Sequence, residues 1–132
     1  METSDDMAQS RILVVEDNPK NLKLVRDVLT HFGYEVIEAT SGEAGVRLAH
    51  DSAPDLILMD LQLPGIDGAE ALRRIRDGDH RQVPVVAVTA FAMNDDRERA
   101  FESGFDGYVE KPISVRALPQ QISDFLKLGG SS

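Results

Sequence analysis

Three short apolar runs in the chain each end on residues that can handle charge. Ile12-Leu13-Val14-Val15 leads into Glu16-Asp17, Leu56-Ile57-Leu58-Met59 into Asp60, and Tyr108-Val109 into Glu110-Lys111-Pro112. If the runs are parallel strands of one sheet, their carboxyl ends converge, and the acids and the lysine share one crevice. Crowded carboxylates repel, which raises their pKa values unless a cation is present. A hard divalent cation such as Mg²⁺ takes oxygen ligands, from one or two carboxylates plus waters and substrate oxygens. Asp17 and Asp60 can supply those carboxylates, Glu16 can act through a water, and a backbone carbonyl after Asp60 can complete the shell. An ionised Asp60 can attack phosphorus as a nucleophile. Phosphoryl transfer then needs positioning and stabilisation of the equatorial oxygens, for which Lys111 offers a fixed charge and Thr89 a hydroxyl. Singly, each residue has a plainer reading: an aspartate capping a loop, a lysine before a turn, a threonine ending a strand. The set is what points to phosphoryl chemistry.

The elements that must position these groups alternate along the chain. Arg11 to Val15 reads as a buried strand, and Asn18-Pro19 as an N-cap with proline in first helical position. Leu22, Val25, Leu29 and Phe32 recur at helical spacing until Gly33. Tyr34 to Glu38 is the second strand, and a helix opening at Ser41 turns Ala44, Leu48 and Ala49 inward. The third strand is Asp55 to Met59, followed by a loop and by Asp67 with Glu70, a capping-box pattern ahead of Leu72 and Ile75. Val83 to Val88 is the fourth strand, a short helix opens at Asn94 and stops at Gly104, and Asp106 to Val109 is the last strand. Ser114 caps a final helix with Val115, Leu118, Ile122 and Phe125 inward. Pro119 inside it costs about 3 kcal/mol if interior, so the first turn is distorted or the regular helix starts later. Five strands alternating with five helices predict an α/β fold, a doubly wound parallel sheet with helices on both faces. Periodicity does not give the strand order. The flavodoxin-like order 2-1-3-4-5 suits five βα units and puts the crevice beyond strands one and three.

At 132 residues the chain is long enough for one domain with a real core. There is no cysteine, which excludes disulfides and thiolate metal sites. His31, His50 and His80 show no ligand spacing and read as surface residues. The net charge is −9, from 14 basic and 23 acidic residues, and no basic stripe interrupts it. Direct binding of nucleic acid is therefore not expected. The first residues lack the basic and apolar regions of a signal peptide, and Val83 to Met93 is too short to span a bilayer. The expectation is a cytoplasmic protein without a membrane segment. Its domain spans 11–127, between an acidic flexible leader at 1–10 and a flexible tail at 128–132.

Glu16-Asp17-Asn18, Asp60 with Leu63-Pro64-Gly65-Ile66-Asp67-Gly68, Thr89-Ala90 and Lys111-Pro112 together resemble the receiver domain of two-component response regulators. The likeness runs from Arg11 to about Leu126, in order and at the family's usual separations. It implies a phosphorylation-controlled switch, not an enzyme beyond catalysing its own phosphorylation and slow dephosphorylation. Asp60 would accept a phosphoryl group from a sensor histidine kinase or a histidine phosphotransfer domain. Glu16, Asp17, Asp60 and the carbonyl of Gln62 would hold Mg²⁺. Thr89 would move to hydrogen-bond the phosphoryl group, and Lys111 would pair with it. The Lys111-Pro112 bond would be cis, although trans is the default for an X-Pro bond. Tyr108 matches the aromatic that turns inward when the threonine moves; from the residues alone it reads as a core aromatic. Glu16-Asp17 stands where many relatives have two aspartates, and Gln62 and Phe91 occupy positions that tune the lifetime of the aspartyl phosphate.

A new charge at Asp60 that Thr89 and Lys111 satisfy in one arrangement would bias a two-state equilibrium. The expected readout face, where a downstream protein would bind, comprises the fourth helix from about Asn94 to Ser103, the strand ending at Tyr108 and the final helix. The expectation is a stand-alone receiver, without an effector domain after Leu126. The alternatives are a phosphotransfer intermediate or a receiver excised from a larger regulator or hybrid kinase. An aspartyl-phosphate phosphohydrolase is disfavoured because its second catalytic Asp is replaced here by Gln62, leaving no general acid. A flavin-binding module is disfavoured because Glu16-Asp17 would repel the flavin phosphate. A degenerate scaffold is disfavoured because every expected pocket residue is present.

Overall fold

A computed structural model describes residues 10–78, 83–90 and 102–128. The expected leader, the tail beyond Leu128, His80, Phe91 and most of the helix expected from Asn94 lie outside the described residues. Five strands, β1 (Arg11–Val15), β2 (Glu35–Ala39), β3 (Leu56–Asp60), β4 (Val85–Thr89) and β5 (Gly107–Glu110), form one sheet. All pairings are parallel and the order is β2-β1-β3-β4-β5. The described helices are α1 (Pro19–His31), α2 (Gly42–Ser52), α3 (Gly68–Gly78) and α4 (Leu118–Leu128).

Side chains alternate across each strand, so a strand buried on both faces feeds two cores. Leu13, Val15, Ile57, Met59, Val85 and Ala87 join Ala49 of α2 and Ala71, Leu72 and Ile75 of α3 on one face. Ile12, Val14, Leu56, Leu58, Val86 and Val88 join Leu22, Val25 and Leu29 of α1 and Leu118 and Ile122 of α4 on the other. The sheet is thus doubly wound, and the carboxyl ends of all five parallel strands lie along one edge.

The ends of the elements depart from the periodicity in instructive ways. β3 ends on Asp60, β4 on Thr89 and β5 on Glu110, each a residue beyond the last apolar one. Backbone pairing continues there, Asp60 standing opposite Val88 and Thr89 opposite Glu110. Asn18 caps α1 as expected, its side chain accepting from Lys20 N at 2.9 Å and Asn21 N at 3.2 Å. Phe32, however, is 54% exposed and Val28 is buried instead, because α1 ends at His31 and Phe32 is its C-cap. Asp67 caps Glu70 N at 2.9 Å. The carboxylate of Glu70 pairs with Arg73 and Arg74. Ser114 accepts from Ala117 N at 3.1 Å, but the regular helix starts only at Leu118. Pro119 therefore falls in the first turn, where a missing N–H costs nothing, and Val115 is left 51% exposed.

Candidate functional site

The apolar strands end at the sheet's carboxyl edge, so the first polar residue of each is held where the buried ladder stops. Glu16 follows β1 and its backbone N–H donates to Ala39 O at 2.9 Å, which locks it against the end of β2. Its carboxylate accepts from Asn18 N at 3.0 Å, so the residue that caps α1 also orients Glu16. Asp60 closes β3, its backbone in the sheet and its side chain 3% exposed. One oxygen, Oδ1, accepts from Gln62 N at 2.9 Å, which folds the following loop over the site. The other, Oδ2, accepts from Lys111 Nζ at 2.9 Å.

Lys111 reaches across from the end of β5. Its backbone N–H donates to Thr89 O at 2.7 Å, and the Lys111–Pro112 bond is cis. Its ammonium also stands 3.7 Å from Glu16 Oε1. Carboxylate oxygens of Glu16, Asp17 and Asp60 lie within 4.8 Å of one another. Glu16 and Asp60 are buried and Asp17 is exposed at the mouth. Burial of the Glu16 carboxyl, joined by its hydrogen bond to Asp60 and that group's like charge, pushes its pKa up to about 7. The Asn18 N–H and Lys111 act in the opposite direction but do not win. This is a hard, all-oxygen donor set with more negative charge than one lysine balances, which fits an Mg²⁺-type cation and not a soft metal. Glu16, Asp17 and Asp60 are the groups at hand to hold it.

Thr89 is buried at the end of β4. Register partners in a parallel sheet point to the same side. Thr89 is opposite Glu110 and Ala87 opposite Tyr108, so Thr89 and Tyr108 share one face of the sheet. Tyr108 is half-buried and packs against the core on the α2–α3 side. It stands two residues back from the crevice, beside the surface formed by Gln121 and Phe125 of α4. Glu16, Asp17, Asp60, Gln62, Thr89 and Lys111 therefore gather at one edge, while Tyr108 lies behind it. The sequence pattern gives no role to Gly42 and Gly45, which prove to be buried on the inner face of α2. Two glycines three residues apart on one helix face are the signal that marks them.

A doubly wound sheet with this acid–lysine crevice at its switch point defines a response-regulator receiver. Residues 12–123 match the response regulator receiver domain, and the chain belongs to that family. It is 45% identical over 116 residues to the polar-differentiation response regulator DivK of Brucella anthropi, covering 87% of this chain and 94% of that protein. DivK of Brucella abortus aligns with the same identity and coverage. Among solved structures, it is similar to the receiver domain of a sensor histidine kinase from Pseudomonas aeruginosa PAO1. That domain has a magnesium ion coordinated in its active site cleft; the TM-score is 0.82 at 37% identity, over 90% of this chain and 98% of that one. The chemotaxis response regulator CheY4 of Vibrio cholerae shares the fold, with a TM-score of 0.84 at 22% identity over 89% of this chain and 98% of that one. The protein is thus a signalling receiver of a two-component system and not a conventional enzyme. Receivers of this family work with histidine kinases or phosphotransfer partners. No described helix is long and apolar enough to cross a membrane.

Proposed function

We propose that Asp60 is the phosphoacceptor, taking a phosphoryl group from a phosphohistidine of a sensor kinase or phosphotransfer domain. The observation that carries this reading is the position of Asp60. It is a buried carboxylate with Lys111 Nζ at 2.9 Å and the carboxylates of Glu16 and Asp17 close by. Asp60 Oδ attacks phosphorus as the P–N bond of the donor breaks, giving an acyl phosphate and a free imidazole. Glu16, Asp17, Asp60 and the Gln62 carbonyl would hold Mg²⁺, which would supply charge neutralisation at the phosphoryl oxygens. Lys111 transfers its ion pair from Asp60 to the new phosphoryl oxygens, a charge-assisted contact that keeps the group in place. The Thr89 hydroxyl donates to another of those oxygens.

Movement of Thr89 vacates space on the face it shares with Tyr108, and Tyr108 turns inward to occupy it. The readout surface comprises β5, α4 and the segment from about Asn94 to Ser103, and a downstream protein binds there. Gln62 and Phe91 set how long the acyl phosphate survives. The domain spans 11–127 and acts in the cytoplasm.

Incubation with Mg²⁺ and a small acyl-phosphate donor, followed by intact-mass measurement, tests this reading. One added phosphoryl group on the wild type and none on Asp60→Asn is the expected result. No gain on the wild type, even with a histidine kinase and its ATP supplied, would refute it.

A further inference from the structure

α2 contributes no candidate ligand, yet it presses on both segments that do. A Cβ added at Gly42 would lie 2.6 Å from Ile66 Cγ1 and 2.8 Å from Ile66 O, in the loop that leaves Asp60. One added at Gly45 would lie 2.8 Å from Val15 Cγ2, in the residue before Glu16-Asp17. The same helix also sets Glu43 over that loop, where its Oε2 would meet a Cβ on Gly65 at 2.8 Å, and Gly65 has φ +76. The loop is closed at its base as well, because a Cβ at Gly68 would meet Asp60 O at 3.0 Å and Leu61 Cδ2 at 2.7 Å. A push on Ile66 has little slack to absorb it before it reaches Asp60 and Gln62.

We infer that the Gly42–Gly45 face of α2 sets the gap between the Glu16-Asp17 segment and the Asp60–Gln62 segment, and so makes the pocket prefer Mg²⁺ to Ca²⁺. This rests on reading the crevice as a cation site. Mg²⁺ requires oxygens at about 2.0–2.1 Å in near-ideal octahedral geometry, whereas Ca²⁺ takes them at about 2.3–2.6 Å with tolerance for irregular shells. Relaxing the backbone contact of Gly42 with Ile66 O from 2.8 Å to an ordinary 3.4 Å displaces Ile66 or α2 by about 0.6 Å. That exceeds the difference of about 0.3–0.5 Å between the two ions' bond lengths. The Ile66 carbonyl is backbone and cannot rotate out of the way. A methyl group at Gly42 therefore shifts the Ile66 segment against α2, and the strict octahedral shell of the smaller ion tolerates such a shift less than the irregular shell of the larger one. Gly42 and Gly45 are positioning residues: they act on the cation only through Ile66 and Val15.

The test is calorimetric titration of the metal-free protein with Mg²⁺ and, separately, Ca²⁺, with a thermal melt of each variant. Gly42→Ala is compared with Ile66→Ala, which removes the packed side chain from the loop's half-buried side. The control is Gly107→Ala, whose added Cβ would meet the Phe125 ring at 2.6 Å and so overpacks the fold away from the crevice. The expected result is a loss of about tenfold or more in Mg²⁺ affinity, the scale of perturbations to groups that orient ligands. Ca²⁺ affinity should change less than about threefold in Gly42→Ala and Ile66→Ala, and Gly107→Ala should leave the ratio alone while lowering the melting temperature. Equal losses for both ions, or an unchanged ratio in whichever of the two variants folds, would overturn the inference. A wild type that binds neither ion would overturn the underlying reading of the site, an outcome separate from a change in selectivity.

Discussion

Glu16→Gln removes the carboxyl that burial and the neighbouring Asp60 push up to about 7. A group whose pKa is raised on folding stabilises the native state below its unfolded value and loses that contribution as pH rises through the folded value. For Glu16 the window runs from 4.5 to about 7: the metal-free protein should lose stability across it as the buried acid is forced to ionise. Mg²⁺ binds the ionised form, so it must displace the Glu16 proton, and its apparent affinity should fall tenfold per unit well below about pH 7. Between about pH 8 and about pH 5.5 the fall should be about 30-fold. A glutamate with the ordinary value of 4.5 would give almost no change over the same range. Calorimetric titration at half-unit intervals reads this directly. Glu16→Gln should bind Mg²⁺ more weakly at high pH and show a much flatter profile. A wild-type fall smaller than about threefold across that range, or a Glu16→Gln profile as steep as the wild type's, would refute the argument that Glu16 holds the proton.

Lys111→Met removes the ammonium 2.9 Å from the buried Asp60; metal-free stability should fall by about 2 kcal/mol, read by denaturant unfolding, and Mg²⁺ should restore much of it. Ile122→Ala, at a fully buried position, should cost about 2–5 kcal/mol, while Val115→Ala, half exposed ahead of the regular helix, should cost less than about 0.5 kcal/mol; the same unfolding curves separate them. Asn18→Ala strips the cap from Lys20 N and Asn21 N and should cost about 1 kcal/mol without abolishing Mg²⁺ binding, because the N–H that orients Glu16 is backbone. Arg76→Ala should lower the melting temperature without changing Mg²⁺ affinity, since Arg76 ties α3 to Val83 O at 2.6 Å and to Asp106 Oδ2 at 2.9 Å, away from the carboxylate cluster.

β1, β3 and β4 were legible because each is a buried apolar run, whereas β2, with Glu35 and Glu38 exposed, shows only a short apolar pair; the runs put the acids at strand ends. The strands' closing residues were less so: Asp60, Thr89 and Glu110 pair in the backbone ladder although their side chains break the apolar pattern. A hydropathy pattern ends where the side chains turn polar; the hydrogen bonds run one residue further, and that residue is where the site begins. Phe32 and Val115 keep helical spacing, but spacing does not say whether the helix or its facing layer continues that far, and both are exposed. The meeting of Lys111 with Asp60 depends on strand order, which periodicity does not carry; here the motif resemblance supplied what the pattern lacked. Gly42 and Gly45 were invisible for a simpler reason. Their contribution is a missing side chain, and only the distance to Ile66 and Val15 reveals it.

Among the crowded carboxylates of the crevice, Asp60 is the one proposed to carry the phosphoryl group. Borohydride reduction of the phosphorylated protein converts an aspartyl phosphate to homoserine, and peptide mapping then reads its position. Conversion at Asp60 alone, dependent on Mg²⁺, is the predicted result. Conversion at Asp17 or elsewhere with Asp60 intact would contradict the account.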